Sequence, residues 1–404
     1  MTALFALLRH NPLFWLLVFV PAVFVAQAIA PESHTLLFVL SVLAVVPLAG
    51  LLSHATESVA AKTGDTVGGL LNATLGNLTE LVIALAALRA GQYMLVKASI
   101  AGAIVTNTLF MLGASVLLGG LKYHVQEFNR VSARLQASLL FLATIALLVP
   151  SAIRLADSGP AAEFSEHLSV GLSGLLITAY GLGMVFSMGT HRELFASAEH
   201  AAGEEKPWPI GVALATLAVV TVTVALVSEV FVESVQRAAE SFGMTPAFVG
   251  FIVVALVGGA AEMSSAFSGA RKGRLDLSIG IALGSAAQIA LFVAPLLVLA
   301  SYLIGPAPMD LRFWPGAVMM MLIATLTAVL VTNSGRTAWF VGVLVLMVYV
   351  IFAMTLYLLP PREAEPAAAG AVVRRHAVEI MSHPRRPGPS SATSPTSSSS
   401  RLSE

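Results

Sequence analysis

Between residues 12 and 359 the chain is a near-continuous succession of apolar runs, each about as long as a bilayer is thick. A helix needs about 20 mostly apolar residues to cross the hydrocarbon layer, where every backbone N–H and C=O must find its partner within the protein. Repeated runs of that length dictate an all-α polytopic membrane protein. Only 11% of the residues are charged, against about 25% in an average soluble domain. About 11 transmembrane helices are expected, over roughly 12–30, 35–60, 66–89, 94–120, 131–153, 168–188, 208–232, 245–270, 276–303, 313–332 and 337–359. The first run is too long for a signal-peptide core and reads as a span. Residues 360–404 are rich in Pro, Ala, Arg and Ser. They cannot bury an apolar face and are expected to be disordered.

Charge and cysteine content remove several function classes. Lys+Arg and Asp+Glu are both 22, so nothing suggests a nucleic-acid partner. There is no cysteine, which excludes disulfides, thiolate metal sites and thiol catalysis. No phosphate-binding glycine loop, GxSxG elbow or HExxH helix occurs, so an enzyme is not expected. With the N-terminus inside, the Lys/Arg bias places Lys122, Arg130, Arg271, Lys272 and Arg274 inside and leaves fewer basic residues, such as Arg89 and Lys97, outside.

An internal repeat organises the spans. GLLNATLGNLTELVIALAAL (69–88) followed by ASIAGAIVTNTLFMLG (98–113) has a counterpart in GFIVVALVGGAAEMSSAFSGA (250–270) followed by LSIGIALGSAAQIALFVAP (277–295). Glu80 precedes Gly102 by 22 residues, and Glu262 precedes Gly284 by 22. The expected organisation is one extra helix (1–34), a five-helix repeat (35–189), an acidic loop (190–207), a second five-helix repeat (208–359) and the tail (360–404). Five is odd, so the second repeat inserts upside down. Two inverted five-helix repeats are a signature of secondary transporters, whose site lies at the repeat interface near mid-membrane.

Glu80 and Glu262 stand at matched places inside that interface. An intramembrane carboxylate costs at least about 2.5 kcal/mol and marks function by default. Glycines beside each, Gly76 and Gly258–Gly259, loosen the helix and free carbonyls for a cation. Two facing carboxylates suit a hard divalent cation, which takes oxygen ligands. Without the ion, burial and mutual repulsion favour protonation. A site that holds either a divalent cation or about two protons is the chemical core of antiport. Asn72, Asn77, Thr79, Thr106, Asn107, Ser285 and Gln288 supply amides and hydroxyls nearby, and the three-residue spacing of Asn77 and Glu80 predicts one shared helical face. Glu57 and Glu229, each read as lying towards the end of the preceding helix, are a candidate proton or cation pathway, with His54 close to Glu57.

LLNATLGNLTELVIAL with ASIAGAIVTN, and GFIVVALVGGAAE with KGRLDLSIGIALGSAAQIALFVAPLLVL, resemble the calcium/cation antiporter superfamily, specifically its CAX branch of calcium/proton antiporters, over about residues 45–335. The resemblance implies that Glu80 and Glu262 are central cation ligands, that Asn77, Asn107, Ser285 and Gln288 line the site, that Glu57 and Glu229 lie near the path, and that the acidic loop is regulatory. Three residues depart from the family pattern: Gly259 replaces an Asn, Met263 a His, and Ala103 a common Ser. The expected function is calcium/proton antiport, with sodium/proton or potassium/proton exchange as the alternative reading and an intramembrane enzyme as the other class. Calcium and protons are the expected transported ions, with sodium or potassium in the alternative, and no cofactor is expected. The short loops point to a bacterial inner (plasma) membrane.

Overall fold

The computed structural model describes residues 12–63, 65–152, 159–191 and 207–358, all within one compact unit, Met1–Pro361. The acidic loop, apart from its ends, and the tail lie outside the described residues. The architecture is the all-α polytopic bundle that the apolar runs demand. A 3-10 turn (Pro12–Val18) leads into α1 (Phe19–Ile29), followed by α2 (His34–Ala60), α3 (Asp65–Leu75), α4 (Leu78–Arg89) and α5 (Tyr93–Tyr123). Then come strand β1 (Val125–Glu127), α6 (Arg130–Ala152), α7 (Gly159–Met184), α8 (Ile210–Ser241), α9 (Pro246–Gly258) and α10 (Ala260–Arg271). The chain continues through α11 (Leu275–Ile304), α12 (Pro315–Thr332), β2 (Arg336–Ala338) and α13 (Trp339–Leu358). Among the described residues, eight helices are long and apolar enough to cross a membrane, or nine if the bent α9–α10 pair is one span.

The expected single spans 66–89 and 245–270 are each two helices. The breaks fall at Gly76–Asn77 and at Gly258–Gly259, the matched points of the repeat; α9 and α10 meet at 58°. Glycine is a poor helix former, so two short helices replace one long one where glycine coincides with tertiary demands. Asn77 is the N-cap of α4, with φ −96° and ψ 29°, and Glu80 lies in the first turn beyond it.

Contacts between distant segments define two ends of the bundle. At the basic end, β1 pairs antiparallel with β2, with Val125 opposite Ala338. Lys122 Nζ donates to the carbonyl of Arg271, and Gln126 Nε2 to that of Ala270. At the opposite end, Lys97 pairs with Asp310, and Tyr93 Oη donates to the carbonyl of Ala307 while accepting its N–H. There too, Thr35 bonds Ser241 where α2 begins and α8 ends. Exposed Val219, Leu303, Leu330 and Leu344 are among the apolar side chains that face outward, as lipid-facing surfaces require. The chain is a multi-pass integral membrane protein.

Small residues bring the central helices close. A methyl on Gly102 of α5 would sit 2.2 Å from the carbonyl oxygen of Phe251 and 2.4 Å from its Cα, and one on Gly250 would sit 2.7 Å from Ala98 Cβ. Such contacts let backbones approach in lipid, where apolar burial gives no drive between helices and packing must supply it.

Candidate cation site

The two helix breaks place Glu80 in the first turn of α4 and Glu262 in the first turn of α10. The positive end of a helix dipole favours a carboxylate there. A helix end leaves its last carbonyls without helical partners, and in broken-helix transporters such oxygens coordinate cations. A methyl on Gly258 would stand 2.9 Å from Glu80 Cγ and 3.4 Å from its Oε1, so Glu80 leans on the break of the opposite repeat. The absence of a Cβ at residue 258 is therefore required. Glu80 and Glu262 interact electrostatically with each other, and Glu57 also acts on Glu262.

Four polar side chains from both repeats join beside them. Asn107 Nδ2 donates to Ser285 Oγ at 2.9 Å, Ser285 Oγ donates to Asn77 Oδ1 at 2.7 Å, and Asn77 Nδ2 donates to Gln288 Oε1 at 2.7 Å. Asn77, Asn107 and Ser285 are buried. Asparagine at an N-cap ordinarily caps its own helix. Asn77 makes no side-chain cap bond and spends both ends of its amide across the repeat interface instead. Ser285 is the hub and is also within hydrogen-bonding reach of Glu262. Its single hydroxyl proton serves one acceptor at a time.

The second oxygen of Glu262, Oε2, is buried and has no hydrogen-bond partner. A buried polar atom without a partner costs about 1–3 kcal/mol, more when charged. Two chemistries relieve it, a proton or a cation.

The local backbone also departs from α geometry. Asn107 lies in a π-helical stretch, Thr106–Met111, and Gln288 immediately precedes another, Ile289–Val293. Each π turn accommodates an extra residue in the helix, a device common at functional sites. It rotates the side chains that follow it relative to a regular helix, a rotation that sequence periodicity does not reveal.

The remaining expected residues are dispersed. Glu57 is exposed on α2 and accepts from Ser53 Oγ at 3.2 Å. His54 packs edge-on against buried Trp208 with ring centroids 4.6 Å apart. Glu229 does not lie towards the end of its helix, because α8 runs on to Ser241. Its half-exposed carboxylate pairs with Arg89 at 3.2 Å. That partner is remote in sequence, so the pair is a tertiary fact invisible to motif reading. Asn72 is exposed, whereas Thr79 is buried. Thr106 hydrogen-bonds Tyr349 of α13 at 3.3 Å, behind the site.

In the second repeat, a methyl on Gly259 would lie 3.3 Å from Met263 Cε and 3.7 Å from Asn107 Oδ1. Asn77 of the first repeat thus has no amide counterpart, and the thioether chain of Met263 borders the space where one would project. On α10 and its C-cap, Ser264, Phe267, Ser268, Arg271 and Lys272 line a cavity of about 450 Å³ at the basic end.

A helical bundle with broken spans and a carboxylate pair at matched breaks has the architecture of secondary cation transporters. The family described as sodium/calcium exchanger protein matches residues 33–189 and 212–358. A Ca(2+)/H(+) antiporter from Aphanothece halophytica is 39% identical over 369 residues, covering 88% of this chain and 98% of that protein. The Ca(2+)/H(+) antiporter ChaA of Bacillus subtilis (strain 168) is 39% identical over 326 residues, covering 80% and 92%. The solved structure of native YfkE aligns with a TM-score of 0.74 at 35% identity, covering 86% of this chain and all of that one. The chain belongs to the sodium/calcium exchanger protein family.

Proposed function

We propose that this protein exchanges calcium for protons across a bacterial plasma membrane by alternating access to the site between Glu80 and Glu262. The observation that carries the reading is the buried, unpartnered Oε2 of Glu262, which interacts electrostatically with Glu80. The pair accepts either one divalent cation or about two protons with the same charge balance. Asn77, Asn107, Ser285 and Gln288 hold the amide and hydroxyl oxygens in register. Glu57, on the exposed surface of α2 and electrostatically linked to Glu262, hands cations or protons towards the centre. Glu229, first placed on that pathway with Glu57, serves instead as the ion-pair partner of Arg89 at the rim. The basic end faces the cytoplasm, as the Lys/Arg bias requires. The Ca(2+)/H(+) antiporters named above support calcium as the cargo.

The test is purified protein in liposomes carrying a pH gradient, offered calcium, sodium and potassium in turn. Calcium-driven proton movement that vanishes in Glu80→Gln and Glu262→Gln is the expected result. Robust exchange by both variants refutes the site. Exchange of sodium or potassium but not calcium refutes the cargo. That second outcome has a physical basis, since the second repeat supplies Gly259 in place of an amide ligand.

A further inference from the structure

The two repeats are not in the same state, and the difference is concentrated on glycines. Gly102 and Gly284 are repeat-related, as are Gly68 and Gly250, and Ala98 and Gly280. In one combination, α9 is docked on α5: Gly102 is pressed against the backbone of Phe251, and Gly250 against Ala98 and the carbonyl of Leu95. In the mirror combination, α3 would dock on α11. Instead, a methyl on Gly284 would meet nothing within 4 Å, while Gly68 is pressed against Ala60 of α2. The end closed by α9 on α5 is the end opposite the basic one. Gly284 thus has no seated partner, and the basic end, from which α3 and α11 start, also holds the cavity lined by Ser264, Phe267, Ser268, Arg271 and Lys272.

We propose that Gly102 and Gly284 are the receiving halves of an alternating interlock. Building on the transport reading, each end of the pathway closes when the first arm of a broken span seats on the glycine of the facing helix. This structure has α9 seated on Gly102. In the alternate state α3 seats on Gly284 and Gly280 through Gly68, and α9 lifts from Gly102. Both seats demand the absence of a Cβ, so a side chain at either position forbids one state and leaves the other intact. Inverted repeats make the two closures equivalent by construction, and a substitution that excludes one state shifts the population to the other.

The chain has no cysteine, so Ser268→Cys places a single thiol in the cavity of the basic end. Labelling by a membrane-impermeant maleimide from that side is measured in proteoliposomes for Ser268→Cys alone, with Gly284→Leu and with Gly102→Ala. Equilibrium calcium binding and calcium/proton exchange are measured on the same proteins. Gly284→Leu places its Cβ where nothing lies within 4 Å in the state seen here. It is expected to fold, to bind calcium within about threefold of the parent, to lose exchange by about tenfold or more, and to label at least as fast as the parent. Gly102→Ala is expected to slow labelling several-fold. Parent-like exchange in Gly284→Leu overturns the interlock, as does lost exchange with slowed labelling or with lost calcium binding. Unchanged labelling in folded Gly102→Ala overturns it as well; if that variant does not fold, Gly284→Leu decides alone. Should the parent move no calcium, the cargo is wrong, yet the labelling contrast still reads the interlock.

Discussion

Ser285→Ala removes one oxygen and interrupts the chain that ties the repeats together. The lost hydroxyl accepts from Asn107 at 2.9 Å and donates to Asn77 at 2.7 Å, at a residue only 4% exposed. Stranding two buried polar groups costs about 1–3 kcal/mol each in the interior of a soluble protein. Side-chain hydrogen bonds measured within membranes average nearer about 0.6 kcal/mol, with a maximum of about 1.7. The site is polar and adjoins the transport route, so water partly replaces the missing partner. A combined loss of about 1–3 kcal/mol follows, at the level of the membrane measurements rather than the soluble ones. If all of it is expressed in the cation-bound site, the calcium KM rises between about 5-fold and about 150-fold, because each 1.4 kcal/mol is tenfold. If part of it supports the fold, the thermal unfolding midpoint in detergent drops as well. The assay pair is calcium-dependent proton flux in liposomes and thermal unfolding with and without calcium. An unchanged KM together with an unchanged midpoint would show that the chain is incidental, and the geometric argument for the site would fail.

Four further outcomes follow from the same geometry. Gly258→Val is expected to displace Glu80, whose Cγ would stand 2.9 Å from the new Cβ; calcium exchange should fall by about 100-fold or more, as for loss of an essential group, and retention of half the activity refutes the contact. Glu229→Gln and Arg89→Ala each break an exposed ion pair at 3.2 Å; a cost of under about 1 kcal/mol and flux within about twofold of the parent are expected, and a dead transporter would return Glu229 to the pathway. Glu57→Gln removes a charge that acts on Glu262; slower exchange with preserved equilibrium calcium binding is expected, while unchanged exchange places Glu57 off the route. Acidifying the calcium-loading side from about pH 8 to about pH 6 favours protons over calcium at the carboxylate pair; the apparent calcium KM on that side should rise, and a pH-independent KM would separate proton binding from the cation site.

The sequence makes the fold class and the centre of the site legible for one reason. Lipid forbids unpaired backbone and penalises charge, so apolar runs announce helices, and Glu80 and Glu262 stand out against them. Asn77, Asn107, Ser285 and Gln288, singled out from the matched segments, are linked in one hydrogen-bond chain. Periodicity fails where helices are interrupted. The break makes Asn77 a helix cap whose amide serves the other repeat, a partnership the spacing to Glu80 does not show. The π stretch at Thr106–Met111, which contains Asn107, is likewise not legible in periodicity. Nor does local sequence reveal that Glu229 is engaged by Arg89 or that His54 packs on Trp208, because both contacts are made by segments far apart in the chain.

The small ribbon of β1 and β2 bears on how the molecule can move. Three residues from each repeat, Val125–Glu127 and Arg336–Ala338, are stitched by main-chain bonds at the basic end. The ribbon ties the turn joining α5 to α6 to the turn joining α12 to α13, so those four helices share a common hinge plate. A rearrangement that pulls α5 or α6 away from α12 or α13 at this end would have to break those main-chain bonds. The ribbon thus couples the ends of helices that lie far apart in the chain, which resists their separation at the basic end while leaving the opposite end untouched by it.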